Sequence, residues 1–132
     1  MVQYRESLEG INEEQLKGFF VGWRKPLSEA QHLAMLANSS HVVLAFDAEQ
    51  QRVVGFINAL SDRVQFAFIP LLEVMPTHQH RGIGTELTRR LLTALEPITC
   101  IDLTCSKPLQ PFYAKFGMIP SNGMVIRKYL LQ

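Results

Sequence analysis

LLEVMPTHQHRGIG, residues 71–84, carries the apolar run Leu71-Leu72-Glu73-Val74 straight into a turn holding two histidines, an arginine and two glycines. A turn of this kind is either a plain connector or a backbone built to hold a negatively charged ligand. The residues on each side decide what the turn joins, and hence the fold.

Downstream, Ile83, Leu87, Leu91 and Leu95 recur every four residues, with Glu86 and Arg90 an i,i+4 pair on the outer face. That is the pattern of an amphipathic helix. Upstream, VQFAFIPLLEVM (64–75) is long enough for a strand through the middle of a sheet. Pro70 removes a ladder donor within it and predicts a bulge or bend there or just beyond. TCIDLTC (99–105) reads as the next buried strand. Strand, helix, strand predicts a parallel pair with a crossover helix.

Outside this unit the period changes. HVVLAF (41–46) and RVVGFINAL (52–60) flank DAEQQ, which predicts a hairpin. VQYRESL (2–8) alternates as a short strand. Asn12 precedes EEQLKGFFVGW (13–23), a capped helix start with Leu16, Phe19, Phe20 and Trp23 on its apolar face, closed by Pro26. Ser28 caps a second helix, EAQHLAMLANS (29–39), with Leu33, Met35 and Leu36 as candidates for burial. QPFYAKFG (110–117) predicts a short helix and GMVIRKYL (123–130) a final strand.

A chain of 132 residues fits one domain, residues 1–132, and its 47% apolar content supplies a core. A net charge of +1 creates no general field toward nucleic acid or anionic membrane. No apolar run spans a membrane and the N-terminus lacks a signal-peptide pattern, so the expected location is cytoplasmic. Cys100 and Cys105 lie five positions apart and so on opposite faces of a strand, which predicts two free thiols. Two cysteines and four scattered histidines offer no metal-ligand spacing.

A helix that opens on a glycine-containing turn has first-turn amides without intrahelical partners and a positive dipole end, so it suits an anion. Gly82 and Gly84 let a diphosphate approach the backbone, while Arg81, His78 and His80 add charge or donors. The nucleoside-triphosphatase loop requires a lysine after its glycines, which GIGT lacks. The dinucleotide fingerprint requires a third glycine where Leu87 stands.

Gln79-His80-Arg81-Gly82-Ile83-Gly84 resembles the Q/R-x-x-G-x-G/A signature of the GNAT superfamily, the acetyl-CoA-dependent N-acetyltransferases, and QPFYAKFGM (110–118) resembles its second motif. The order of elements agrees over nearly the whole chain. The resemblance implies an α/β fold with a mixed, mostly antiparallel central sheet, a splayed parallel strand pair and about four flanking helices. It implies acetyl-CoA as cosubstrate, no metal, an amine acceptor, and a monomer or homodimer that engages neither nucleic acid nor membrane.

Position by position, the resemblance puts the coenzyme diphosphate on the amides of Gln79, His80, Arg81, Gly82, Ile83, Gly84 and Thr85. It pairs the pantetheine arm with the backbone at Leu72 and Val74, as an added strand, with an amide near Val74 polarising the acetyl carbonyl. Tyr113 matches the tyrosine that protonates the leaving thiolate; a thiol pKa of about 8.5 and a phenol pKa of about 10 are close enough for that transfer. Glu73 is the candidate base, or else an anchor for the substrate or a salt-bridge partner. Ser106 stands where many members carry an asparagine that helps hold the coenzyme, and reaches less far. Pro111 predicts a late helix start with Tyr113 in the first turn. Phe19, Phe20, Trp23 and Arg24 border the acceptor region, with the aromatics read mainly as core. Two activities stand open: an N-acetyltransferase acting on a small molecule or peptide by direct attack in a ternary complex, or a catalytically inactive coenzyme A-binding sensor or partner module.

Overall fold

Val42, Leu44 and Phe46 turn to one face of strand β2 (His41–Asp47), and Val43 and Ala45 to the other; all five are buried. Alternation with both faces apolar calls for a layer on each side of the sheet. The structure, a computed structural model, describes residues 1–130. β2 forms the expected hairpin with β3 (Arg52–Ser61), with a register shift between Ala45 and Phe46. β1 (Val2–Arg5) pairs antiparallel with the other edge of β2.

The run over 64–75 divides. β4 (Phe66–Phe68) and β5 (Leu72–Val74) lie on the same edge of β3, with Leu60 opposite Phe68 and Ile57 opposite Leu72. Residues 69–71 therefore face only 58–59, one residue too many, and the interruption is a bulge centred on Pro70. After it comes α2 (Ile83–Ala94), then β6 (Cys100–Asp102), which runs parallel to β4 alone. The sheet is mixed and mostly antiparallel, with one parallel pair, as expected.

One face of the sheet is covered by α2, whose Ile83, Leu87 and Leu91, with Leu95 beyond its end, pack with Val43, Ala45, Val54 and Ile57. The other is covered by α1 (Glu29–Ala37) and the segment before it, through Leu16, Phe19, Phe20 and Leu36 against Val42, Leu44 and Phe56. Ser28 closes a capping box with Gln31 at the start of α1. Among the described residues no helix is long and apolar enough to cross a membrane.

Two elements differ from expectation. Asn12 does cap a helical start, through a capping box with Gln15, but only the 3₁₀ turn Glu13–Leu16 forms. The chain then leaves the helix through Gly18, Phe20 and Gly22, at φ 90°, 64° and 82°. The two glycines make that path cheap, and a tertiary contact described below holds Phe20 in it. The strand expected over 123–130 is absent: residues 121–127 have no ladder partner, and a 3₁₀ turn, Lys128–Leu130, follows. Met124 and Ile126 stand exposed there, so neither burial nor pairing offsets the cost of ordering a strand. The short C-terminal helix, α3 (Gln110–Ala114), starts late with Pro111 in its first turn, as its prolines predict.

On α1, Leu36 is buried and Leu33 and Met35 are half-buried, whereas the fully buried residue that the pattern did not single out is His32. Its ring packs against Phe20 and Phe56 with centroids 4.7 and 4.5 Å away. Neither ring nitrogen has a hydrogen-bond partner among the described residues. Burial pushes its pKa from 6.5 down to about 4, with Glu29 opposing. A His held neutral stabilises the fold above the unfolded pKa and loses that contribution as pH falls from 6.5 toward 4. Urea midpoints measured between pH 7 and 4 should therefore fall less steeply for His32→Leu than for the parent chain. Parallel curves would show that the imidazole is not buried neutral.

Candidate functional site

Hydrogen bonding along β5 follows from its register. Met75 N–H donates to Val54 (2.8 Å) and Asn58 N–H to Leu71 (3.3 Å). These bonds flank the Glu73–Phe56 pair, so odd-numbered residues of the strand bond to β3. Leu72 and Val74 turn their backbone groups the other way, toward the side on which β6 has already stopped. The result is a strand whose outer edge meets no other strand beside a gap, although Val74 O there accepts from the Gln79 side chain.

The turn after β5 ends at the start of α2. His80 (φ 63°) and Gly82 (φ 79°) are both left-handed, and Gly82 is the N-cap residue, with no side chain capping the helix. A side chain at Gly82 would be strained by that φ, although its Cβ would meet nothing within 4 Å. Glu86 N–H already bonds Gly82 O (3.0 Å), whereas the amides of Ile83, Gly84 and Thr85 belong to the unpartnered first turn. Alternating left-handed residues ahead of such amides form a concave anion nest. Gly84 faces Phe112 and Val74 at ordinary contact distance, which sets α3 beside this helix start. Glu86, one turn in, has its charge taken up by Arg89 and Arg90, which hold its carboxyl down at about 2.

Internal bonds hold the turn. His78 is buried, not directed at a ligand as a free donor: Nε2 lies 3.0 Å from Asp47 Oδ2, and Nδ1 lies 2.8 Å from Thr77 Oγ1. The other Asp47 oxygen, Oδ1, accepts from Glu49 and Gln50 N–H, so one carboxylate ties the β2–β3 turn to the segment before the nest. His78 and those amides hold the Asp47 carboxyl below its ordinary range. The Gln79 side-chain amide donates to Val74 O at 3.1 Å, linking the nest to β5.

Glu73 points to the α1 face. Its two carboxylate oxygens accept the Phe20 N–H at 2.9 and 3.0 Å, and Oε2 also accepts the Val21 N–H at 3.3 Å. This is the contact that holds the left-handed turn at Phe20. Glu73, Leu72, Val74 and Gln79 line one cleft of about 300 Å³ together with Val21 and Trp23. Trp23 is 45% exposed rather than core, while Phe19 and Phe20 are buried as expected. A slightly larger hollow, about 350 Å³ beside Ser39, His41 and Leu91, contains none of the expected site residues.

Tyr113, in the first turn of α3, is half-buried against Phe112 at 5.0 Å; burial, and then Cys105, raise its pKa above 10. It does not line the cleft beside β5. Cys100 and Cys105 are free. Ser106 begins the 3₁₀ turn Lys107–Leu109 with no side-chain capping bond. Arg81, His80 and Thr85 are exposed at the nest. Among the described residues no group of His, Cys, Asp or Glu is arranged for a metal. Sequence reasoning missed Asp47, the Phe20 and Val21 amides and the position of Val21. None carries a local signal, because the partners are 31 and 53 positions apart.

The family model described as the acetyltransferase (GNAT) family matches residues 8–118. The comparison with curated proteins gave no match. A provisionally assigned acetyltransferase from Deinococcus radiodurans R1 is 41% identical, with a TM-score of 0.93 over 97% of this chain and 89% of that one. A GNAT family acetyltransferase from Streptococcus pneumoniae TIGR4 shares the fold at 23% identity (TM-score 0.75; 96% and 98% of the chains). So does glucosamine-6-phosphate N-acetyltransferase from Arabidopsis thaliana, at 12% identity (TM-score 0.73; 96% and 97%).

The Asp47–His78 tether should be visible without any ligand. In Asp47→Ala, hydrogen exchange of the His78 amide, which bonds Met75 O at 2.8 Å, should speed up by about tenfold, the scale of one lost charge-assisted bond. Exchange in the paired part of β3 should stay unchanged. Equal protection in both proteins would show that the turn does not depend on this pair.

Proposed function

The chain belongs to the GNAT acetyltransferase family, and on that premise we propose that it transfers the acetyl group of acetyl-CoA to an amine of a small molecule or peptide. The attack is direct, in a ternary complex, and the setting is the cytoplasm. The observation that carries the reading is the continuity of the open β5 edge with the uncapped nest. A thioester carrier with a diphosphate at one end and amide-bearing arms at the other needs both, in that order.

In this reading the amides of Gln79 to Thr85 hold the diphosphate, assisted by Arg81. Leu72 and Val74 bond the pantetheine amides as a neighbouring strand would. The amide at Val74 polarises the acetyl carbonyl and stabilises the oxyanion as the amine adds. The amine attacks in its neutral form, the nitrogen–carbon bond forms fully, the carbon–sulfur bond breaks and Tyr113 gives its proton to the departing thiolate, while the proton shed by nitrogen passes to solvent, from which the phenol is restored. Its raised pKa keeps the phenol protonated at neutral pH. Ser106 borders the coenzyme more weakly than a longer amide side chain.

Glu73 has two candidate roles: base toward the incoming ammonium, or anchor. Its three bonds to the Phe20 and Val21 amides favour the anchor, since those donors already engage both of its oxygens. The inactive-module alternative predicts coenzyme binding without turnover, and thiol release against an amine panel separates the two.

Gly82→Val should weaken coenzyme A binding by about tenfold or more in calorimetry, because a β-branched residue resists the left-handed nest. Unchanged affinity would remove the nest from the binding site. Tyr113→Phe should lower kcat on the order of a hundredfold with little change in the KM for acetyl-CoA, the scale of a lost general acid. An undiminished rate would end the proton-donor role. For Glu73→Gln, the anchor role predicts a higher amine KM with the acidic limb of the pH–rate profile retained; a base would flatten that limb.

A further inference from the structure

Taking the acetyltransferase reading as given, we infer that the acceptor is a compact, mainly apolar monoamine, such as an arylalkylamine, and that Trp23 determines this preference. The inference comes from counting what the cleft beside β5 offers. If the open edge of β5 is the thioester's, the acceptor's share is the wall made by Val21, Trp23 and the Glu73 carboxylate.

Six of the eight residues lining the cleft are apolar; the other two are Glu73 and Gln79. Each polar side chain is already engaged in part. The Gln79 amide nitrogen bonds Val74 O. The Glu73 carboxylate accepts from Phe20 and Val21 N–H. An ionised carboxylate has about four acceptor sites and meets only two N–H groups here, that of Phe20 shared between both oxygens, so room remains for the donors of one ammonium. The cleft thus has charge complementarity for a single ammonium and for little else.

That count excludes by chemistry. A polyamine would bring further ammonium groups with no second acid in the lining to meet them. A phosphorylated aminosugar would need a basic partner for its phosphate, and no Lys, Arg or His lines the cleft.

Trp23 supplies the positive half of the argument. Trp23 and Val21 are 45% and 59% exposed, which leaves large apolar surface at the mouth of the cleft. The indole is not a loose surface group. It packs on buried Phe20 at 4.8 Å, and Phe20 is pinned by Glu73. An aromatic face held near a carboxylate suits a ligand with an apolar body and an ammonium head. At about 300 Å³ the cleft lies at the low end of ligand pockets, which limits that body to one ring or a short alkyl chain.

The test is thiol release at saturating acetyl-CoA with phenethylamine, spermidine and glucosamine 6-phosphate. Phenethylamine should show a kcat/KM about tenfold or more above the other two. Trp23→Ala should lower that value about tenfold, through the amine KM, with the KM for acetyl-CoA within about twofold of the parent. Trp23→Phe should restore most of the loss, which a mere folding defect in the alanine variant would not predict. A preference for spermidine or the sugar phosphate, or an equal effect of Trp23→Ala on all three amines, overturns the inference and leaves the acetyltransferase reading standing. Coenzyme A binding with no release from any of the three overturns both.

Discussion

The site depends on a strand edge left open inside a folded domain. Unpaired backbone groups are costly when buried and hazardous when exposed, so proteins normally cover them. Here the bulge at residues 69–71 divides one long strand, and β6 stays with β4 and does not follow β5. Pro70 has no N–H to give to a ladder, so the interruption falls where pairing was already weakest. Everything downstream is arranged around the outward-facing backbone of Leu72 and Val74.

Three tethers keep that opening in shape, two of them reaching across the fold. Glu73 binds the turn at Phe20 and Val21, Asp47 binds His78, and Gln79 binds the carbonyl of Val74. The first two use carboxylates as acceptors, and a hydrogen bond to a charged group is stronger than one between neutral groups. The Glu86 pairs with Arg89 and Arg90 are short but lie on the outer face of α2, where ion pairs contribute little to stability. Their effect is local: they reduce the negative charge one turn away from the nest. The same carboxylate type thus acts as a structural clamp in the cleft and as a neutralised surface group on the helix.

Much of this was legible in residue order because the signals are local. The four-residue spacing of Ile83, Leu87, Leu91 and Leu95, the capping box at Ser28, the hairpin over 47–51 and the break at Pro70 each arise from interactions within a few positions. The helix expected over 13–23 was overruled because three glycine-region residues took left-handed φ and a carboxylate 53 positions away fixed one of them. His78 looked like a free donor in a polar turn. Its role is set by Asp47, which no spacing rule could supply. The strand expected at 123–130 has the right composition but no neighbour, and β-propensity counts for little without one.

Sequence alone therefore determined most of the elements, their likeness to one family and the chemical character of the turn at residues 79–85, since propensity, capping and glycine φ are properties of short stretches. Tertiary structure decided which way each polar group is used. It put Glu73 onto a loop, His78 onto a hairpin and Trp23 at the mouth of a cleft, because such choices depend on which unpaired partners meet in space.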